Sequence, residues 1–323
     1  MNFATCRISV RFFLRKIYFF CPYSFIISAT YSDATLMTLI LKSKPVIDET
    51  FHQLKSDCET LTQRFYKPTL NVILVGNNPA SQTYVRNKKK FCESFGAFCK
   101  TIHLPENIER KTFLETVAQI SADPQVHGIL IQLPLPKHLS DIDTSILIPA
   151  AKDVDGFHPD NIFHLFAGSC GEKGLLPCTP LGTVSLLKHY NIPIEGKNVC
   201  VIGRSHIVGK PAALLYCNLN ATVDLCHSKT TNLEQHIKSA DIVIAAVGKA
   251  RFLSASYFRS DCSQTVIDVG TNFDQNGKLC GDVDMDSVAP HVHAISPVPG
   301  GVGPLTILSL AQNLIRATRS QLA

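Results

Sequence analysis

Apolar positions along the chain fall into alternating helix-like and strand-like stretches. Over 45–67 the residues Val46, Ile47, Phe51, Leu54 and Leu61 recur at mostly helical spacing, and the β-rich run 70–75 then ends at Gly76. This predicts a helix feeding a buried strand. A helix over 81–95, a short strand over 101–104, a helix over 110–122 and an apolar strand over 128–133 continue the rhythm. Such alternation predicts a parallel sheet covered on both faces, with ligands outside the carboxyl ends of its strands. A second series follows the loop Leu176-Pro177-Cys178-Thr179-Pro180: a helix over 182–190, strands over 198–202 and 222–226, a helix over 233–239, and strands over 242–247 and 265–269. Asn276-Gly277 marks a hairpin within 274–281. The last helix, expected over 305–319, presents an apolar face that should pack back on the first domain.

Composition narrows the partner class. The chain has 323 residues, enough for two domains, and carries 31 basic against 26 acidic residues without a long basic run, so a small molecule is a better partner than nucleic acid. Its 12 cysteines form no C-x-x-C pair and no Cys/His cluster at zinc spacing, which predicts a reducing compartment, no disulfide framework and no metal. The first 36 residues stand apart, with Arg7, Arg11, Arg15 and Lys16, an apolar run over 18–29 and no acid before Asp33. That run is too short for a spanning helix and contains Pro22, so no membrane anchor is expected. Three readings compete for the leader. The expected one is an over-extended start, with translation beginning at Met37 and a cytoplasmic product; an organellar import signal and a secretory signal are the others.

The second series opens on the expected strand 198–202, followed by Gly203-Arg204-Ser205-His206-Ile207-Val208-Gly209-Lys210-Pro211 and a helical stretch over 212–219. A strand, a glycine turn and a helix are the parts of a dinucleotide site. Gly203 would make the tight turn, Gly209 would allow close packing, and the helix N-terminus would face a pyrophosphate. Ser205 stands where the second glycine of G-x-G-x-x-G belongs, so the glycines alone fit an ordinary turn equally well. The next strand ends in Cys226-His227-Ser228-Lys229-Thr230, with no acid to grip a ribose hydroxyl. Arg204, Ser228 and Lys229 offer donors for an extra phosphate, which favours NADP over NAD, although Lys229 alone reads as a solvated loop charge.

In the first domain, Tyr84 and Lys88 are four residues apart on the helix Ser81-Gln82-Thr83-Tyr84-Val85-Arg86-Asn87-Lys88 and share one face. Gln132-Leu133-Pro134-Leu135-Pro136 ends a strand, and Asp153-Val154-Asp155-Gly156 lies in a loop. Singly, each has a plain reading: a half-exposed helix face, a strand terminus, a turn former. Together with VGNNPASQTYVRNKKKFCESFG, GILIQLPLP, KDVDGFHPDN, PCTPLG, GRSHIVGKP, HSKTTNL, VIDVGTN and PVPGGVGPLT, in this order, they make the chain from Met37 onward resemble the bifunctional methylenetetrahydrofolate dehydrogenase/methenyltetrahydrofolate cyclohydrolase enzymes.

The resemblance implies two α/β domains, 37–181 plus 297–323 for catalysis and folate binding and a Rossmann-type NADP-binding domain over 182–296. It implies Lys88 as the catalytic lysine, Tyr84 as the ring that stacks on the folate, Gln132 as the group orienting the lysine, and Asp155 as the acid on the pterin edge. Leu133 would line the substrate beside Gln132. Gly203, Arg204 and Ser205 match the NADP phosphate site and Ser228 the 2′-phosphate. Pro299-Gly300-Gly301-Val302-Gly303 matches the loop at the junction of folate and nicotinamide. Thr271 would meet the cofactor where the family more often has isoleucine, a departure that leaves this contact open. Tetrahydrofolate substrates, NADP and a homodimer formed through the cofactor domain complete the expectation. A shikimate-type NADP dehydrogenase also pairs a lysine domain with a Rossmann domain, but the Tyr84/Lys88 spacing and the PGGVG loop do not suit it. A non-catalytic NADP-binding regulator is the alternative of a different class.

Overall fold

The computed structural model describes residues 38–169 and 173–322, so the expected leader and the start at Met37 lie outside the described residues. In chain order the first half gives β1 (Leu39–Ile40), α1 (Ser43–Gln63), β2 (Thr69–Val75), α2 (Pro79–Ser94), β3 (Phe98–Leu104), α3 (Arg110–Ala122), β4 (Gly128–Ile131), α4 (Pro159–Phe166) and α5 (Cys178–His189). The second half gives β5 (Asn198–Ile202), α6 (Gly209–Asn218), β6 (Thr222–Cys226), α7 (Leu233–Ser239), β7 (Ile242–Ala245), β8 (Thr265–Asp268), β9 (Asn272–Phe273), β10 (Leu279–Cys280), α8 (Met285–Val288), β11 (Ala294–Ile295) and α9 (Val302–Ser320).

Strands buried on both faces hold the centre of each sheet. β2, with every residue from Leu70 to Val75 buried, lies between β3 and β4 in a parallel three-stranded sheet. The second sheet has the order β1-β11-β8-β7-β5-β6, parallel throughout, with the wholly buried β7 and β8 inside it. Both faces of such strands need helices, hence the near-continuous apolar runs. The expected hairpin forms as β9 and β10, antiparallel, with Gly277 at φ +72°. As expected, α9 packs on the first domain: Leu314 is fully buried, and a methyl group placed on Gly128 of β4 would lie 2.8 Å from its Cδ1. No helix among the described residues is long and apolar enough to cross a membrane.

The differences from the expected elements have common causes. α5 and α9 begin at Cys178 and Val302, not 182 and 305, because Pro180 and Pro304 sit in their first turns. An N–H there has no partner inside the helix, so proline costs nothing. β4 stops at Ile131, short of 133, since Pro134 offers no ladder donor, although Gln132 N still donates to Ile73 O at 2.9 Å. β7 stops at Ala245, short of 247, because the amides of Val247, Gly248 and Lys249 turn to the Asp282 carboxylate at 2.5, 3.0 and 2.9 Å. β1 and β11, two residues each, are too short for any periodicity, yet β1 adds to the edge of the second sheet through Leu39↔Ala294 and Ile40↔Ile295.

Packing and charge can be separated on α9. Leu314→Ala should destabilise the chain by about 2–5 kcal/mol, as truncation of a buried leucine does. Arg319→Ala, which removes the 2.7 Å surface ion pair to Asp57, should cost about 1 kcal/mol or less. Denaturant midpoints of the two variants check this, and an equal loss would contradict it.

Candidate active site

The helix carrying the lysine is fixed at its start. Asn78 accepts from Ser81 N at 3.1 Å and Pro79 occupies the first turn. The buried stripe of α2 is Ser81, Val85, Lys88 and Cys92, so Lys88 lies on the side that faces protein, only 9% exposed. Its Nζ donates to Gln132 Oε1 at 3.1 Å. Gln132 Nε2 donates to Leu133 O at 2.8 Å, which fixes the amide with its oxygen toward the amine. No carboxylate lies within 4.0 Å of the Lys88 amine among the described residues. Tyr84, one turn before Lys88, and Leu133 are 44% and 46% exposed, so an open ring and an apolar wall flank the amine.

Asp155 comes to the same place from a built turn. The buried Asp153 carboxylate accepts from Gly156 N at 3.2 Å, His158 N at 2.6 Å and Asn161 Nδ2 at 3.3 Å, shaping the chain that presents Asp155. Burial pushes the partly accessible Asp155 carboxyl up to about 6; the Lys88 charge draws it down, Asp153 raises it, and the nearby Cys178 thiol draws it down again. Cys178, the residue here that sequence reasoning did not single out, is 2% exposed, donates to Val154 O at 3.2 Å, and has its thiol pushed well up by burial. Its signal was the PCTPLG segment, whose helical start was hidden by the prolines.

The second group of residues gathers along one edge. Cys226, Ile202, Ala245 and Asp268 end four adjacent strands in register, Ile202 pairing with both Cys226 and Ala245, and Ala245 with Asp268. Arg204 and Ser228 each lie two residues beyond a paired end, and both are exposed. Thr271, also exposed, follows β8 on that edge. Gly203 has φ +125° and sits against the Ala246 carbonyl, while Gly209 sits against the carbonyl of Gly203; a Cβ at either would collide with backbone. Ser205 Oγ accepts from Val208 N at 3.2 Å and Gly209 N at 3.4 Å, so the serine in place of glycine closes the turn that leads into α6. Asp224, an acid on β6, is paired with His236 at 2.8 Å.

The segment 299–303 leaves the carboxyl end of β11, where Ser296 Oγ accepts from Asp268 N at 2.8 Å, and leads directly into α9. Ser43 donates through both N and Oγ to Gly300 O, at 2.9 and 2.8 Å, and so fixes this loop. Asp268, likewise not singled out from the sequence, accepts from Gly270 N, Asp282 N and Val283 N at 2.8, 3.0 and 2.9 Å, and burial holds its carboxyl up at about 6. The structure therefore brings Lys88, Gln132 and Asp155 together with Tyr84 and Leu133 beside them. It sets Gly203, Arg204, Ser205, Ser228, Thr271 and the loop from Pro299 to Gly303 at the carboxyl edge of the larger sheet.

Two family descriptions match this chain. The catalytic domain of tetrahydrofolate dehydrogenase/cyclohydrolase matches residues 41–155, and the NAD(P)-binding domain of the same family matches 177–322. The chain belongs to the tetrahydrofolate dehydrogenase/cyclohydrolase family. It is 45% identical over 284 residues to the bifunctional protein FolD of Bacillus subtilis (strain 168), covering 88% of this chain and 99% of that one. The crystal structure of the bifunctional FolD enzyme of Campylobacter jejuni is 42% identical with a TM-score of 0.82, covering 88% of this chain and 99% of the other. That of the Trypanosoma brucei methylenetetrahydrofolate dehydrogenase-cyclohydrolase, complexed with NADP cofactor and inhibitor, is 31% identical with a TM-score of 0.81, covering 88% and 98%. Within this family frame, Lys88, Gln132 and Asp155 form the cluster of the catalytic-domain half, since all three lie within 41–155.

The electrostatics of the cluster can be read directly. The Asp155 carboxyl should titrate with a midpoint near 6 in the free protein, and Lys88→Met should move that midpoint upward because a cation that favours the carboxylate is gone. Carbon-13 chemical shifts of the labelled side chain report both. A midpoint unchanged or lowered in Lys88→Met would contradict the geometry.

Proposed function

We propose that the chain oxidises 5,10-methylenetetrahydrofolate to 5,10-methenyltetrahydrofolate with NADP and hydrolyses that product to 10-formyltetrahydrofolate. The observation that carries the reading is the Lys88 amine held by the Gln132 amide at 3.1 Å next to Asp155, between an exposed tyrosine and an exposed leucine. Tyr84 offers a face for the pterin ring, Leu133 an apolar wall, and the Asp155 carboxylate an acceptor for the N–H groups along the pterin edge. The loop from Pro299 through Gly300, Gly301 and Val302 to Gly303 joins the two halves, so substrate and cofactor meet there.

The residues at the larger sheet's edge fit NADP. Glycines stand where backbone must approach closely, α6 opens its N-terminus to the same edge, and β6 ends in Cys226 with no acid to claim a ribose hydroxyl. Gly203, Arg204 and Ser205 would hold phosphate, Arg204 and Ser228 the 2′-phosphate, and Thr271 the nicotinamide side. When bound, NADP supplies the hydride acceptor. The protein's part in that step is alignment of the one-carbon bridge. In the second step a water adds to the methenyl carbon and loses a proton to leave a hydroxyl; the bond from that carbon to N5 then breaks as N5 gains a proton and the hydroxyl gives up its own to become the formyl carbonyl, one proton being released overall. The Lys88 amine handles these protons, with Gln132 fixing its direction.

The family reading carries two further proposals. β6 is the edge of the larger sheet with Asp224 and Leu225 exposed, and pairing of this edge with a second copy would give the homodimer. The second is a cytoplasmic site of action: a reporter fused to residues 1–36 should stay diffuse, and an organellar signal would overturn that.

Lys88→Met keeps the length and apolar stem of the side chain and removes the amine. Methenyltetrahydrofolate hydrolysis should fall by roughly 10²–10⁴, and hydride transfer should fall less. Lys89→Met, at a position turned about 100° on the helix, should be nearly silent. Wild-type hydrolysis in Lys88→Met, or its abolition in Lys89→Met, would contradict the assignment. Arg204→Ala should weaken NADP binding by about 1.5–3 kcal/mol and NAD binding far less. An equal effect on both cofactors would place Arg204 away from the 2′-phosphate.

A further inference from the structure

Halfway along α9, Asn313 is 1% exposed in the core. Its Nδ2 donates to Val154 O at 2.8 Å and to Leu176 O at 2.7 Å, and lies 3.6 Å from Cys178 Sγ. Val154 precedes Asp155 directly, and Leu176 leads through Pro177 into Cys178. One amide thus ties the turn that presents Asp155 to the segment entering α5. The bonds from Cys178 N to Asp155 O at 3.4 Å and from Cys178 Sγ to Val154 O close the same junction.

Two carbonyls from different segments require two donors on one short, planar group. Aspartate has none when ionised, serine and threonine have one, and glutamine carries its amide one methylene farther out. The orientation of the amide is fixed, since its oxygen could not face two carbonyl oxygens. That oxygen, Oδ1, is buried without a hydrogen-bond partner among the described residues. A buried acceptor left unmade is unfavourable, so simple core filling would be better served by leucine. The two-donor clamp is what the asparagine provides.

We propose that Asn313 is a positioning residue for substrate binding: from the C-terminal helix it sets the height of the Asp155 carboxyl relative to Lys88. The proposal rests on the reading of Asp155 as the pterin-binding acid. Because the helix that bears Asn313 starts in the 299–303 loop, one rigid element fixes both the acid and the loop at the junction. Asn313 itself, at 1% exposure, is closed off from any bound substrate or cofactor.

The test uses the full chain and steady-state kinetics with 5,10-methylenetetrahydrofolate and NADP. Asn313→Leu removes both donors and keeps the branching at Cγ. KM for the folate should rise about tenfold, the worth of one or two hydrogen bonds, while KM for NADP stays within about twofold and kcat changes less than the folate KM. Ser309→Ala is the control: it lies one turn earlier on α9, is 1% exposed, and its hydroxyl has no partner among the described residues, so both KM values should stay at the wild-type level. Asp155→Asn should raise the folate KM at least as much as Asn313→Leu. An unchanged folate KM in Asn313→Leu alongside a raised one in Asp155→Asn overturns the positioning role alone. An unchanged folate KM in Asp155→Asn overturns the reading on which it rests. Equal rises for folate and NADP in Asn313→Leu assign the residue to general packing and also overturn it. If Asn313→Leu does not melt cooperatively, Asn313→Ser, with one donor kept, should give an intermediate folate KM, and a wild-type value there overturns the proposal.

Discussion

The Lys88 amine is nearly buried and meets no carboxylate within ion-pair distance among the described residues; its hydrogen-bond partner is the neutral amide of Gln132 at 3.1 Å. A hydrogen bond of this kind contributes about 1.5–3 kcal/mol, whereas taking an ammonium out of water costs several kcal/mol. The Asp155 carboxylate is close enough to interact with Lys88 but does not clasp it. A carboxylate clasping the amine would favour its charged form and make it a poorer acceptor of a proton from a reacting group. An amine held by an amide keeps its reach, and the same bond that offsets part of its burial also aims it.

The remaining architecture serves to bring a second ligand to that amine. Four strand ends in register put their loops along one edge, and buried carboxylates hold those loops in shape. Asp282 takes the amides of Val247, Gly248 and Lys249 and the side chain of Asn272, while Asp268 takes those of Gly270, Asp282 and Val283. Charge-assisted bonds of this sort are about twice as strong as neutral ones, so the loops are braced by the protein before any cofactor arrives. From the same edge β11 runs through the glycine loop into α9, which lies against α1 and β4. The cofactor edge and the lysine cluster are thereby joined by one helix.

Much of this was legible in the sequence. Apolar runs revealed β4 and β7, whose buried faces carry no polar residue, and the β5 to α6 turn was visible from Gly203 and Gly209. The Tyr84/Lys88 pair was legible as a helix face, but its pairing with Gln132 and Asp155 came from family resemblance, since residues 44 and 67 positions from Lys88 share no local pattern with it. Helix starts at Cys178 and Val302 were misplaced because proline reads as a breaker until its place in the first turn is known. Asp268, Asp282 and Asn313 were not legible at all. Their work is to accept from or donate to backbone groups distant in sequence, which leaves no trace in spacing or composition.

The central claim is that one chain carries both reactions, with the cofactor edge feeding the lysine cluster. It is tested most directly by mixing the purified chain with 5,10-methylenetetrahydrofolate and NADP and following the absorbance of NADPH and of methenyltetrahydrofolate separately in one experiment. The account predicts that NADPH accumulates while methenyltetrahydrofolate falls short of it, the difference appearing as 10-formyltetrahydrofolate beyond the rate of spontaneous hydrolysis. No NADPH, or methenyltetrahydrofolate accumulating mole for mole with NADPH, would contradict it.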